Sequence, residues 1–218
     1  MFYETAKNDH GLPHDPLKAI IAPRPIGWIS TVSKDGIPNL APYSFFNMFA
    51  GLPPIIGFSS VLKKHSQTNA EETGEFVYNF PSLDLIDQVS LSSSHVPPEV
   101  NEFELAGLTM IESSLVKAPR VAEARAHMEC TYLQTIELPF EPGKEIPTCI
   151  VLGRVVAVHI DDAFVKDGLV DTVSMNPITR MGYMDYGTLG EAITKPRPEE
   201  IGNMGGYQAV AKALDQST

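Results

Sequence analysis

The 218-residue sequence predicts a mainly β chain folded as an antiparallel barrel. Three observations predict it. Eighteen prolines and sixteen glycines call for many turns and short strands rather than a helical bundle. Six or so runs have strand-like alternation or continuous apolar character. Hairpin signals and short helices join these runs, without the regular strand and long-helix alternation of a doubly wound parallel sheet.

The elements follow in chain order. Residues 25–33 (PIGWISTVS) and 37–43 (IPNLAPY) flank Lys34-Asp35-Gly36, where Asp-Gly marks a hairpin. Residues 55–60 (IIGFSS) form a third strand. SQTNAEETG then reads as a short helix, with Ser66 as N-cap and Gly74 as its stop. EFVYNF (75–80) alternates as a strand, and residues 82–92 place Leu83, Leu85, Ile86 and Val89 at helical spacing after Ser82. The middle, 93–125, is a mixture of loops and turns. The two longest strand signals are 126–138 and 148–160, with a loop over PFEPGKEIP between them. TCIVLGRVVAVHI (148–160) is almost continuously apolar and is expected in the centre of the sheet. Residues 1–186 read as one domain. Residues 187–218 read as an extension or arm ending in a short helix over YQAVAKALDQ.

A net charge of −11 and the lack of any Lys/Arg-rich run exclude a phosphate-backbone binder, so no nucleic-acid partner is expected. Cys130 and Cys149 lie without a Cys/His cluster at zinc spacing, and read as reduced core thiols. No secretory pattern opens the sequence and no run approaches the ~20 apolar residues of a membrane helix, so a cytoplasmic protein without membrane contact is expected.

The chemistry-bearing residues cluster in three places. Lys63-Lys64-His65-Ser66-Gln67-Thr68-Asn69 puts cations and hydroxyls at a helix entrance, where free N–H groups and the dipole favour an anion. The same residues also read as a capped, solvated surface helix. Arg24, held extended by Pro23 and Pro25, is either a second cation for that anion or an edge-strand surface charge. Asn39, Ser44 and Asn47 offer amides and a hydroxyl suited to a planar heteroaromatic ligand, while Trp28, Phe45 and Phe46 suit a core. The histidines have no metal spacing, and Gly202, Gly205 and Gly206 follow no strand, so neither a metal nor a dinucleotide fingerprint is assigned.

PRPIGWIST (23–31), NLAPYSFFN (39–47), KHSQTN (64–69), GEFVYN (74–79), NEFELAGLT (101–109), MECTYL (128–133), ILGRVVAVHIDD (150–162, broken by Val151) and ITRMGYMDY (178–186) occur in this order. Together they resemble the flavin reductase-like family of FMN-binding split-barrel proteins, which includes reductase partners of two-component monooxygenases and flavoredoxins. The resemblance spans roughly residues 18 to 186. It implies a six-stranded antiparallel split barrel, a homodimer, and FMN bound without a covalent link. Carried over by motif, Arg24, Trp28, Ser30 and Thr31 line the flavin. Asn39, Ser44, Phe45 and Phe46 contact its ring and ribityl chain, and Lys64, Ser66 and Asn69 hold its phosphate. His159 and Arg180 stand where family members approach the flavin or nicotinamide, and are the candidate catalytic residues. For His159 a strand-end histidine packed at the barrel rim is the competing reading. The family's Lys-Asp-Thr is here Lys64-His65-Ser66, which keeps a hydroxyl and removes a carboxylate beside the phosphate. The implied activity is reduction of FMN by NADH or NADPH, with a partner oxygenase among the candidate recipients. The alternatives are an FMN-binding electron carrier without NAD(P)H oxidation, and a cofactor-free binding module on the same barrel.

Overall fold

The computed structural model describes residues 1–140 and 146–195. After a short helix α1 (Leu17–Ile20) come strands β1 (Arg24–Pro25), β2 (Gly27–Val32), β3 (Pro38–Tyr43), β4 (Phe46–Gly51) and β5 (Pro54–Val61). Helix α2 (His65–Thr73) leads into β6 (Glu75–Asn79), and α3 (Ile86–Leu91) and α4 (Glu102–Leu105) follow. A two-residue pair, β7 (Met110–Ile111) and β8 (Arg120–Val121), precedes the long strands β9 (Ala126–Glu137) and β10 (Thr148–Ile160). The described chain ends with β11 (Val165–Lys166), β12 (Leu169–Val170), α5 (Thr172–Met175), β13 (Ile178–Arg180) and β14 (Tyr186–Thr188).

Seven strands form one antiparallel sheet in the order β3-β2-β6-β9-β10-β5-β4, and β1, β13 and β14 form a small second sheet. The long apolar strand β10 lies inside the large sheet between β9 and β5, as its composition requires. The β2–β3 hairpin turns through Lys34-Asp35-Gly36, with Gly36 at φ 84° and its N–H donated to Ser33 O. The sheet gains an edge strand, β4, in the stretch between 43 and 55 that the sequence reading left unassigned. Phe46 is paired with Phe58 and Gly51 with Pro54 there.

The strands separate two cores. Trp28 and Leu40 face α3, α4 and the β8 turn, packing with Val89, Phe103 and Val121. Ile29, Phe58, Phe76 and Val151 fill the barrel on the other side. Strand β2 therefore has no solvent face, and its side chains from Trp28 to Thr31 are buried. Ser66 does not cap α2. Lys64 occupies the N-cap with an extended backbone, and Ser66 lies inside the first turn because its hydroxyl is engaged by Asn39. The expected helix at 207–216 and the glycines at 202, 205 and 206 lie outside the described residues, as does most of the 187–218 extension.

Candidate functional site

Two chain segments run side by side and build the site. Residues 39–47 lead from β3 into β4, and residues 59–66 lead from β5 into α2. They are tied at one end by the Ser59 N–H donated to Phe45 O at 2.8 Å, and at the other by Asn39 Nδ2 donated to Ser66 Oγ at 2.9 Å. Two cavities lie along this seam. An apolar cleft of about 570 Å³ is lined by Ser44, Phe45, Phe46 and Asn47 from the first segment and by Ser59 and Val61 from the second. Ile21, Arg24, Phe49 and Ile150 close its sides. A smaller, polar cavity of about 210 Å³ is lined by Asn39 and Tyr43 from the first segment and by Lys63, Lys64, His65 and Ser66 from the second.

The aromatic wall of the cleft depends on two glycines. Phe46 stacks flat on Tyr78, with centroids 4.9 Å apart and planes within 2°. A Cβ on Gly27 would stand 2.5 Å from the Phe46 ring, so this residue has to be glycine for the ring to lie there. A Cβ on Gly57 would meet Val151 O at 2.8 Å and the Phe49 ring at 3.0 Å. Phe45 stays exposed, with the Arg24 guanidinium 5.7 Å from its centroid.

Arg24 is buried and its guanidinium is satisfied mostly by the chain itself. Nη1 donates to the carbonyls of Lys18 and Ile21 at 2.6 and 2.5 Å, and Nη2 donates to Met181 O at 2.8 Å. The N-terminal segment and the β13–β14 turn are thereby fastened to one side of the cleft. Gly182 packs against Ala19 there at a distance no Cβ would allow. The buried Nε of Arg24 keeps no partner.

The polar cavity gathers donors of the kind that suit an anion. The first N–H groups of α2 have no intrahelical acceptors, and the N-cap Lys64 supplies no side-chain acceptor for them. Ser66 is buried and accepts from Asn39, which leaves its own O–H to donate. Lys63 is held by Glu71 at 2.6 Å, whereas Lys64 forms no ion pair among the described residues. Ser93, Ser94 and His95 from the loop after α3 complete the rim. The Tyr43 hydroxyl is buried beside Ser60 and Ser66, and burial pushes its pKa up to about 12 against the opposing pull of those two hydroxyls.

An apolar cleft and a polar, donor-lined cavity thus lie along one pair of chain segments. Residues 21–175 match the flavin reductase like domain. The chain belongs to the flavin reductase-like family. Nitrilotriacetate monooxygenase component B from Bacillus cereus, a solved structure of this fold, is 31% identical with a TM-score of 0.82, covering 89% of this chain and 98% of its own. An uncharacterized protein of Halalkalibacterium halodurans is 37% identical over 183 residues, 82% of this chain and 87% of the relative. The flavoredoxin of Desulfovibrio vulgaris (Miyazaki F) is 22% identical with a TM-score of 0.71 over 81% of this chain and 92% of its own, a likeness of fold.

Within this family fold, the expected site residues divide by position. Ser44, Phe45, Phe46 and Arg24 line the apolar cleft, and Asn39, Lys64 and Ser66 line the polar cavity. Four of the expected cofactor-binding residues, Trp28, Ser30, Thr31 and Asn69, line neither cavity. Trp28 is wholly buried in the core and donates Nε1–H to Ser92 Oγ at 2.9 Å. Ser30 donates to Pro119 O and accepts from Asn79. Thr31 accepts from Asn69 Nδ2 at 3.0 Å, which uses both of those side chains to fasten α2 onto β2.

The two candidate catalytic residues also lie outside both cavities of this chain. His159 lies nine residues beyond the cleft residue Ile150 along β10, about 30 Å at roughly 3.3 Å per residue. Its Nε2 meets the buried Glu129 at 2.6 Å, and Glu129 also accepts the N–H groups of Ser114, Leu115 and Val116. His159 therefore helps close a loop at the barrel rim. Arg180 is paired across β1–β13 with Arg24 but lines neither cavity. It donates to Tyr183 O and lies 4.6 Å from the Tyr186 ring centroid.

Ile21, Phe49, Ser93, Ser94, His95 and Glu102 are site residues that sequence reasoning missed. The Ser92–His95 run of polar groups just after a helix is a local signal that pointed there. Glu102 and Ile21 reach the site only through tertiary packing. Among the described residues no cluster of His, Cys, Asp or Glu suits a metal, and no helix is long and apolar enough to cross a membrane.

Proposed function

We propose that the protein binds FMN along the 39–47/59–66 seam and catalyses reduction of that flavin by NADH or NADPH. The observation that supports this best is the placement of an apolar cleft and a donor-lined polar cavity on the same two chain segments. Lys64, Ser66 and the first N–H groups of α2 hold the phosphate. Phe45, Phe46 and Phe49 enclose the ring, and the hydroxyls of Ser44 and Ser59 offer polar contacts at its edge. These residues fit the cofactor, since the cleft is walled by aromatic side chains that suit the ring and the polar cavity gathers a lysine, a hydroxyl and helix N–H groups that suit the phosphate.

Bound FMN supplies the two-electron redox chemistry, so no nucleophile or acid–base pair is required of the chain. The protein's own work is to hold the ring, exclude water from the cleft behind its aromatic wall, and present fixed donors to the more negative reduced form. A homodimer is part of the proposal. The edge strand β4 leaves Met48 and Phe49 each 56% exposed, a surface that a second copy would cover. The 31% identical relative is a monooxygenase component B, which supports a partner oxygenase as the recipient of reduced flavin, in a cytoplasmic setting.

Purified protein titrated with FMN tests the reading. Saturable binding, followed by loss of the flavin's visible absorbance on adding NADH or NADPH, is expected. Failure to bind FMN refutes it. Binding without loss of colour instead supports an FMN-binding electron carrier without NAD(P)H oxidation of its own.

A further inference from the structure

We propose that Glu102 determines which ionic form of ligand the polar cavity accepts, coupling the binding of a dianionic phosphomonoester to the uptake of one proton from solvent. The proposal rests on the placement of the FMN phosphate at Lys64 and Ser66. A buried carboxyl is out of place in a cavity otherwise built of cations, hydroxyls and helix N–H groups. Glu102 is 4% exposed and lines that cavity. Its Oε2 accepts the Leu40 N–H at 3.1 Å, while the neighbouring Asn39 donates to Ser66 Oγ at 2.9 Å. Adjacent residues of β3 thus hold the carboxyl and the phosphate-binding hydroxyl against one space of about 210 Å³.

The charged and titratable groups around Glu102 are few. The segment entering α2 supplies Lys63, Lys64 and His65, the loop after α3 supplies His95, and β3 supplies Tyr43. Lys63 is drawn away to Glu71, and no cation forms an ion pair with Glu102 among the described residues. Burial already raises the Glu102 pKa above the ordinary carboxyl range, against the opposing pull of the Leu40 N–H and His65. A phosphate dianion brought into the same cavity disfavours the carboxylate further. The carboxylate then takes a proton from solvent and becomes a neutral carboxylic acid, which can donate to a phosphoryl oxygen. Since the complex holds a proton that the free protein lacks, affinity falls as pH rises through the interval between the free and bound pKa values.

The test measures dissociation constants for FMN and for riboflavin from pH 5.5 to 9, using flavin fluorescence, in the wild type and in Glu102→Gln. Glutamine keeps an acceptor for the Leu40 N–H. The riboflavin-to-FMN ratio of dissociation constants isolates the phosphate contribution. At pH 8 the ratio is expected to be at least about tenfold larger in Glu102→Gln, the equivalent of one pKa unit. The wild-type ratio is also expected to decline more steeply with rising pH. Coincident ratios across the range overturn the proposal. Should Glu102→Gln not fold, the ratio is followed in a His65→Gln/His95→Gln variant. A decline of about tenfold there supports Glu102 as the titrating group, and a flat ratio overturns it. Protein that binds neither flavin refutes the FMN reading itself, whereas FMN binding with coincident ratios defeats only the role of Glu102.

Discussion

Replacing Arg24 by methionine keeps the aliphatic stem and removes the guanidinium that fastens the N-terminal segment to the cleft. Three carbonyls lose a charged donor, those of Lys18, Ile21 and Met181. Hydrogen bonds from charged donors contribute about 1.5–3 kcal/mol each. The total is reduced because the released carbonyls are near the surface and regain water, and because a buried charge no longer has to be desolvated. A net loss of about 2–4 kcal/mol follows, or roughly 5–15 °C in melting temperature for a chain of this size. The loss should be localised. Gly182 is packed against Ala19 closely enough that freeing residues 18–21 also frees the β13–β14 turn. Urea denaturation gives the magnitude, and limited proteolysis of residues 1–22 gives the location. Arg24→Lys should recover less than half of the loss, because one ammonium cannot reach carbonyls on two separate segments. An Arg24→Met variant within about 0.5 kcal/mol of the wild type, the usual effect of a surface substitution, and with unchanged cleavage of that segment would show that the carbonyl cluster is incidental.

Gly27→Ala places a methyl 2.5 Å from the Phe46 ring and should cost about 1–3 kcal/mol of stability together with a weaker fit for FMN; an unchanged denaturation midpoint and FMN dissociation constant would contradict that account of the wall. Lys64→Ala combined with Ser66→Ala should weaken FMN about 100-fold and leave riboflavin nearly unchanged, as measured by fluorescence titration, and equal effects on both ligands would move the phosphate elsewhere. His127 is buried with Nε2 on Val121 O at 2.7 Å and Nδ1 unpartnered, and burial pushes its pKa down to about 4 from the ordinary 6.5. The unfolded chain therefore binds the extra proton first, so stability present above pH 6.5 is lost as pH falls toward 4, by up to about 3 kcal/mol. His127→Gln should flatten the urea midpoint across that interval, and a variant with the wild-type slope would assign the acid sensitivity to other groups.

What the sequence made legible depended on how local the cause was. The β2–β3 hairpin is written in Asp35-Gly36 and the apolar runs beside it, and the interior place of β10 in thirteen nearly unbroken apolar residues. The edge strand β4 was not legible. FNMFAG has no alternation to announce a strand, since Met48 and Phe49 both remain exposed and the pairing bulges between Met48 and Ala50. The site shows the same limit at the level of single side chains. Quoting a motif such as PRPIGWIST names the right stretch of chain but not which of its residues face a ligand. That choice belongs to the layers on either side of β2. The α3 and α4 layer takes Trp28, the β8 turn takes Ser30, and α2 takes Thr31, so only Pro23, Arg24 and Pro25, at the end of the motif outside those layers, line the cleft. Lys64 and Ser66 were recoverable because a helix entrance is a local object whose unsatisfied N–H groups can be inferred from sequence. Glu102 was not recoverable. It lies 36 residues beyond Ser66 in the chain and reaches the cavity only through the Leu40 N–H, whose neighbour Asn39 holds Ser66 in place.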